Sequence, residues 1–260
     1  KRSSSVVALS ALYQSAGGSA WTWKVNWLDG DPCPSGAWQG VSCSGDSVVK
    51  LSLPNLNLKG SIASELGLLT TLVNGLDLYG NSLSHSIPSE LGSLTGLATS
   101  FSLYSNKLTS RLPSELGRLT GLKNSFSLYA NSLSSSLPTE LGGFTALQQV
   151  FSLRNNQLTG SIPCELAQMT ALTFWFDLES NGFCGEVPME VAMMALRVSS
   201  FNYVDGNDGL GTSCLTLAPS ASPSTASPRP TSSPSTQPAT LVPSPSPTAR
   251  SFRPIIAPTR

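Results

Sequence analysis

The sequence predicts an α/β repeat solenoid with a parallel sheet along its concave side, capped at both ends. Two observations carry this. One stretch returns at a fixed interval: "FSLYSNKLTSRLPSELGRLTGLKNS" from Phe101, "FSLYANSLSSSLPTELGGFTALQQV" from Phe126 and "FSLRNNQLTGSIPCELAQMTALTFW" from Phe151. Leu53, Leu78, Leu103, Leu128, Leu153 and Leu178 hold the same place in it, every step being 25 residues. A fixed period in this range marks stacked supersecondary units. The second observation is the leucine content of a unit. Leu103, Leu108, Leu112, Leu116, Leu119 and Leu122 all point inward if the unit closes into a coil. No coil buries that many alone, so stability must come from stacking on its neighbours.

Each coil opens on a short strand, such as Phe101-Ser102-Leu103, and neighbouring strands pair as a parallel ladder about 4.8 Å apart. Asn81, Asn106, Asn131, Asn156 and Asn181 form one column at the turn that follows. An inward amide there can bond backbone groups that the bend leaves without partners, which is a structural role.

Taken in order, residues 1–48 form an amino-terminal cap. Val6, Leu9 and Leu12 have helical spacing, and Gly17-Gly18 ends that helix. "NWLDGDPCPSGAWQGVSC" follows, with Trp27, Cys33, Trp38 and Cys43. A terminal coil exposes an apolar end, so Trp21, Trp23, Trp27 and Trp38 are assigned to covering it. The solenoid proper runs over 49–190. Its first coil departs from the pattern, with Leu56 in the asparagine column and Ala63 where later coils carry proline. Residues 191–217 decay from the repeat, although Phe201 and Tyr203 still fall in register.

The unit "L-x-x-N-x-L-x-x-x-I/L-P-x-x-L", preceded by the W-x-G-V-x-C signature, resembles the plant-type leucine-rich repeat over about residues 6–214. The resemblance implies a right-handed superhelix and a cysteine pair in each cap. At the amino terminus that pair is Cys33 and Cys43, whose bridge is worth about 2–3 kcal/mol by chain entropy. At the carboxy terminus the candidate is Cys184–Cys214. A Cys164–Cys184 bridge is disfavoured, because position 184 matches 159 one coil back, and the five residues on to 164 span about 16 Å when extended. Cys164 is then the odd thiol, buried and inert or an intermolecular link. Bridged caps belong in oxidising compartments, so the chain is expected outside the cell, secreted, in the wall or at the surface. The family's repeat runs 24 residues, whereas here it runs 25. The added residue precedes the strand and predicts a wider convex loop.

Two surface columns stand out. Glu65, Glu90, Glu115, Glu140, Glu165 and Glu190 recur once per coil. Their mutual repulsion is about 0.8 kcal/mol per pair before screening, offset by about 0.3–1 kcal/mol from the free amides of a helical turn. No metal is required, and none is expected. On the strand, the neighbours of the inward leucines face the other way. That gives an outward row of Asp77, Ser102, Ser127, Ser152 and Asp177, and a second of Tyr79, Tyr104, Tyr129, Arg154 and Glu179. The three tyrosines, with Arg154, Asp77, Asp177 and Glu179, form the predicted binding face. Tyrosine and arginine are enriched where partners bind. Replacing the tyrosines by alanine is expected to abolish capture with little thermal cost.

From Ala218 to Arg260 the chain is serine, threonine and proline, a composition that cannot bury a core and reads as a disordered stalk. The chain starts at Lys1, not methionine, and is read as a fragment or processed form. Formal charge is zero and 12% of residues are charged, so nothing points to nucleic acid. No apolar run approaches the roughly 18 residues of a membrane helix. His85 is the one histidine and lacks an oriented nucleophile, so no enzyme, no catalytic residue and no cofactor is expected. The resemblance implies an extracellular recognition module for a protein, peptide or wall glycan, such as a receptor ectodomain, a wall-associated sensor or an inhibitor. The alternative is a structural wall protein in which the solenoid is a spacer.

Overall fold

The computed structural model describes residues 3–33 and 38–214. The stalk expected over 218–260 lies outside them. The described chain is a stack of coils with two parallel ladders. The concave ladder has eight strands: Val41–Ser44, Ser47–Ser52, Gly75–Asp77, Ser100–Ser102, Ser125–Ser127, Val150–Ser152, Trp175–Asp177 and Ser200–Asn202. They pair in sequence order, parallel except for the first two. The strands begin one residue earlier than the sequence suggests, at Ser100 rather than Phe101. This shift matters for the site below.

A second ladder of seven short strands, from Lys59–Gly60 to Gly209–Leu210, flanks the first and was not anticipated. Its members carry mostly serine, threonine and glycine around one buried leucine or phenylalanine, such as Lys107–Ser110 about Leu108. That composition carries little strand propensity. The pairing is imposed by the stacking of coils already fixed in register. Convex positions hold one 3-10 turn per coil: Ser64–Leu68, Ser89–Ser93, Ser114–Arg118, Thr139–Gly143 and Cys164–Gln168.

The core follows the predicted columns. Leu103, Leu108, Leu112, Leu116, Leu119 and Leu122 are all buried. Between them runs a spine of Phe101, Phe126, Phe151, Phe176 and Phe201, with successive centroids 5.5, 5.7, 5.4 and 4.9 Å apart. The asparagine column closes the polar accounts. Asn131 Oδ1 accepts from the Leu108 N–H at 3.0 Å, and its Nδ2 donates to the carbonyls of Leu103 and Leu128 at 3.1 and 3.0 Å. Asn207 repeats this in the cap, bonding Phe183 N–H and the Leu178 carbonyl. It stands one residue out of period and so escaped notice.

Glycine recurs beside the glutamate column for a packing reason. A Cβ at Gly67, Gly92, Gly117 or Gly142 would overlap the carbonyl oxygen of Glu90, Glu115, Glu140 or Glu165 in the next coil. The extra residue of each period is also accounted for. Ala98, Lys123, Gln148 and Thr173 each donate their N–H to the carbonyl one coil back, at 2.7–3.0 Å. The stretch before each strand is thereby a hydrogen-bonded rung.

The amino-terminal helix and both cysteine pairs form as expected. Ser4–Ser15 is helical, Ser3 Oγ accepting from Val6 N–H at 3.3 Å, and Gly17 ends it in the left-handed region at φ 68°. Trp21, Trp27 and Trp38 are buried, and each donates its indole N–H to a backbone carbonyl. Trp23 is 64% exposed and does not belong to the cover. The turn at Asn26 and Leu28, both at positive φ, directs Trp27 inward and leaves Trp23 outside. Cys33–Cys43 and Cys184–Cys214 are bridged, with Cα–Cα separations of 5.9 and 5.1 Å. Cys164 is free and exposed, not buried, because it opens a 3-10 turn on the convex side. The Glu165 carboxylate pushes its thiol pKa up, which keeps it protonated and slow to react.

Candidate ligand-binding face

The concave ladder sorts side chains by alternation. Phe101 and Leu103 point in, so Ser100, Ser102 and Tyr104 point out, and likewise in every coil. Because the strand begins at Ser100, the outward side has three rows, not two. The additional row is Lys50, Gly75, Ser100, Ser125, Val150, Trp175 and Ser200. It was missed because the strand was drawn from the phenylalanine onward. Alternation carried one step further would have found it.

The middle row is not exposed as expected. Asp77 and Asp177 face outward but are only 8% and 3% exposed, and Ser102, Ser127 and Ser152 are likewise buried. Short side chains with strands about 4.8 Å away on both sides and larger rows above and below have little access to water. Asp77 is partnered by Ser100 Oγ at 2.7 Å and Lys50 Nζ at 3.4 Å. Asp177 accepts the Glu179 N–H at 3.0 Å. Burial raises the Asp177 pKa and the Glu179 carboxylate adds to this, while the Glu179 N–H, Arg154 and Trp175 oppose it.

The third row holds the tyrosines. Tyr79, Tyr104 and Tyr129 are half-buried and stacked face to face, with centroids 4.4 Å apart and planes within 9–11°. Each ring sits on a strand at the inter-strand spacing, so stacking follows from register alone. The faces are occupied by one another, and edges and hydroxyls are what the groove presents. Burial and the neighbouring phenols push the Tyr104 pKa up to about 12. Arg154 Nη1 continues the row and pairs with Glu179 Oε2 at 3.4 Å. Stacked aromatic pairs are worth about 0.5–1.5 kcal/mol each beyond their area. Alanine replacements would therefore destabilise the fold, contrary to the expectation above. Phenylalanine keeps the stack and removes only the hydroxyls.

Elsewhere the chemistry is sparse. His85 is exposed at φ 69°, with Nδ1 3.0 Å from Ser84 Oγ. Ser64 and Ser89 hydroxyls donate to the adjoining Glu65 and Glu90 carboxylates at 3.3 and 3.4 Å. Among the described residues no group of three or more histidine, cysteine or acidic side chains could hold a metal ion, and no helix is long and apolar enough to cross a membrane.

The family description Leucine Rich Repeat matches residues 73–94 and 149–169. A probable leucine-rich repeat receptor-like protein kinase of Arabidopsis thaliana is 43% identical over 61 residues, covering 23% of this chain and 6% of that protein. The matched stretches amount to 6–9% of the length of the curated relatives. In solved structures, a chain of the BIR3–SERK2 complex from Arabidopsis thaliana is 32% identical at a TM-score of 0.54, covering 70% of this chain and 95% of that one. The Arabidopsis HAESA ectodomain, solved in complex with a peptide hormone ligand, is 30% identical at a TM-score of 0.52, covering 65% of this chain and 32% of that one.

Proposed function

The chain belongs to the plant-type leucine-rich-repeat family, and we propose that it is an extracellular recognition module whose concave face binds a peptide or protein ligand. One observation carries this: the stacked ladder of Tyr79, Tyr104 and Tyr129, held half-exposed on the inner curve. It presents a row of hydroxyls in fixed register, with a Lys50–Asp77 pair at one end and an Arg154–Glu179 pair at the other. Hydroxyls that are both donor and acceptor suit a chain of amides and carbonyls. Because the rings are rigid, little side-chain entropy is lost on binding. The peptide complex of the similar HAESA ectodomain supports this reading. The two disulfides support a location outside the cell.

The test compares the wild-type chain with the triple variant Tyr79→Phe, Tyr104→Phe and Tyr129→Phe. Both are immobilised and exposed to extracellular fluid from the source organism, and affinity for any retained ligand is measured. The expected result is a loss of about tenfold or more with the unfolding midpoint little changed, each hydroxyl contributing about 0.5–1.5 kcal/mol. Equal affinity in the two proteins would refute the reading. A wild-type chain that retains nothing would favour the spacer role.

A further inference from the structure

The concave face changes character at its carboxy-terminal end. Through the middle coils its first row is glycine, serine and valine, and then Trp175 enters it. That indole is 42% exposed. Its partners in register, Val150 and Ser200, are too short to cover it. Phe174 is also exposed, and the two rings meet edge to face with centroids 6.5 Å apart. Glu179 and Asp205 follow, tied together by Asn202 Nδ2 at 3.2 and 3.0 Å. Arg154, 3.4 Å from Glu179, is the one cation among the described residues on this end of the face. The carboxylates of Asp177, Glu179 and Asp205 thus stand against one guanidinium, beside an uncovered aromatic surface. The amino-terminal end is unlike this, since Lys50 and Asp77 balance and no large aromatic is exposed beside them.

We propose that this corner receives a positively charged side chain, an arginine or lysine of a peptide ligand, between the Trp175 ring and the Glu179 carboxylate. The proposal rests on the concave-face reading above and gives the chemistry of one contact within it. A cation is attracted to the face of an indole, more strongly where water is excluded. A guanidinium is planar and weakly hydrated, so it can stack on the ring while its N–H groups reach a carboxylate. A neutral sugar could also lie on the ring, but it would leave the excess negative charge uncompensated.

The test uses the full chain and three probes: the acetylated, amidated peptide Gly-Gly-Arg-Gly, the same peptide with citrulline for arginine, and cellohexaose. Binding is followed by the amide and indole N–H resonances, the Trp175 signal being identified by its loss in Trp175→Phe. The arginine peptide is expected to shift the Trp175 indole and Glu179 amide signals saturably. The citrulline peptide should bind about tenfold or more weakly, and cellohexaose should leave both signals unmoved. Trp175→Ala and Glu179→Gln should each weaken the arginine peptide about tenfold, whereas His85→Ala, in the second ladder, should leave it unchanged. Equal binding of arginine and citrulline peptides, saturation by cellohexaose alone, or no saturable shift with any probe would overturn the proposal. If the tyrosine variants still lose their ligand in the earlier experiment, the failure belongs to this contact and not to the concave-face reading.

Discussion

Replacing Asn131 by alanine removes the amide that joins two coils. Its Oδ1 accepts from Leu108 N–H at 3.0 Å, and its Nδ2 lies 3.1, 3.0 and 3.4 Å from the carbonyls of Leu103, Leu128 and Tyr129. An amide nitrogen carries two hydrogens, so two of those carbonyls are served at once. The two bonds to carbonyls are lost, each worth about 1 kcal/mol net. The Leu108 N–H is also left buried beside a methyl group, and an orphaned donor costs about 1–3 kcal/mol. The sum is a loss of roughly 3–5 kcal/mol. Asn131→Asp is the sharper variant. It keeps the acceptor, loses both donors and sets a carboxylate against carbonyl oxygens. It should therefore be less stable than the alanine variant at neutral pH and recover in acid, where the new carboxyl holds its proton. Urea denaturation gives the magnitude, and hydrogen exchange gives the location. Protection should fall at Leu108 N–H and persist at Leu83 N–H, which bonds Asn106 instead. A loss below about 1 kcal/mol, or an aspartate variant as stable as wild type at neutral pH, would refute the assignment of the column as the polar clamp of the stack.

Three further outcomes follow from particular contacts. Gly117→Ala should cost about 1–3 kcal/mol by overpacking, because its Cβ would overlap the Glu140 carbonyl; an unchanged urea midpoint would show that the turns can part. Tyr104 should ionise near pH 12. The folded state then holds a proton that the unfolded chain has released, so stability falls as pH rises from about 10 toward 12. A phenolate absorbance titration should lose a step near pH 12 in Tyr104→Phe, and the absence of that step in wild type would contradict the burial. Asp177, whose pKa is raised by burial, binds its proton more tightly folded than unfolded. Stability should therefore decline as pH rises from the ordinary carboxylate range through the folded pKa. Asp177→Asn should flatten that part of the urea-midpoint profile, and an unaltered profile would remove the assignment.

The period, the inward leucines and the asparagine column are legible in the chain because each is a local pattern repeated at one interval, whereas the cysteine pairs of the two ends were implied by the family resemblance. Periodicity reports which side chains share a face, and alternation reports which way each one points. Neither reports how much room a side chain has once its neighbours are stacked. Asp77 and Asp177 are oriented as the sequence says, yet they are buried because adjacent strands close over short side chains. Trp23 is a tryptophan in a cap, yet it lies in water because a backbone turn sends Trp27 inward instead. The second ladder has no strand-forming sequence of its own and exists because coils in register bring it together. Trp175 joins the outward side of the concave ladder because the strand starts one residue early, beside Val150 and Ser200. The sequence by itself determined the coil and its register. Exposure, and with it the shape and charge of the concave surface, was decided by stacking, since solvent access depends on residues 25 positions away in the chain and one strand away in space.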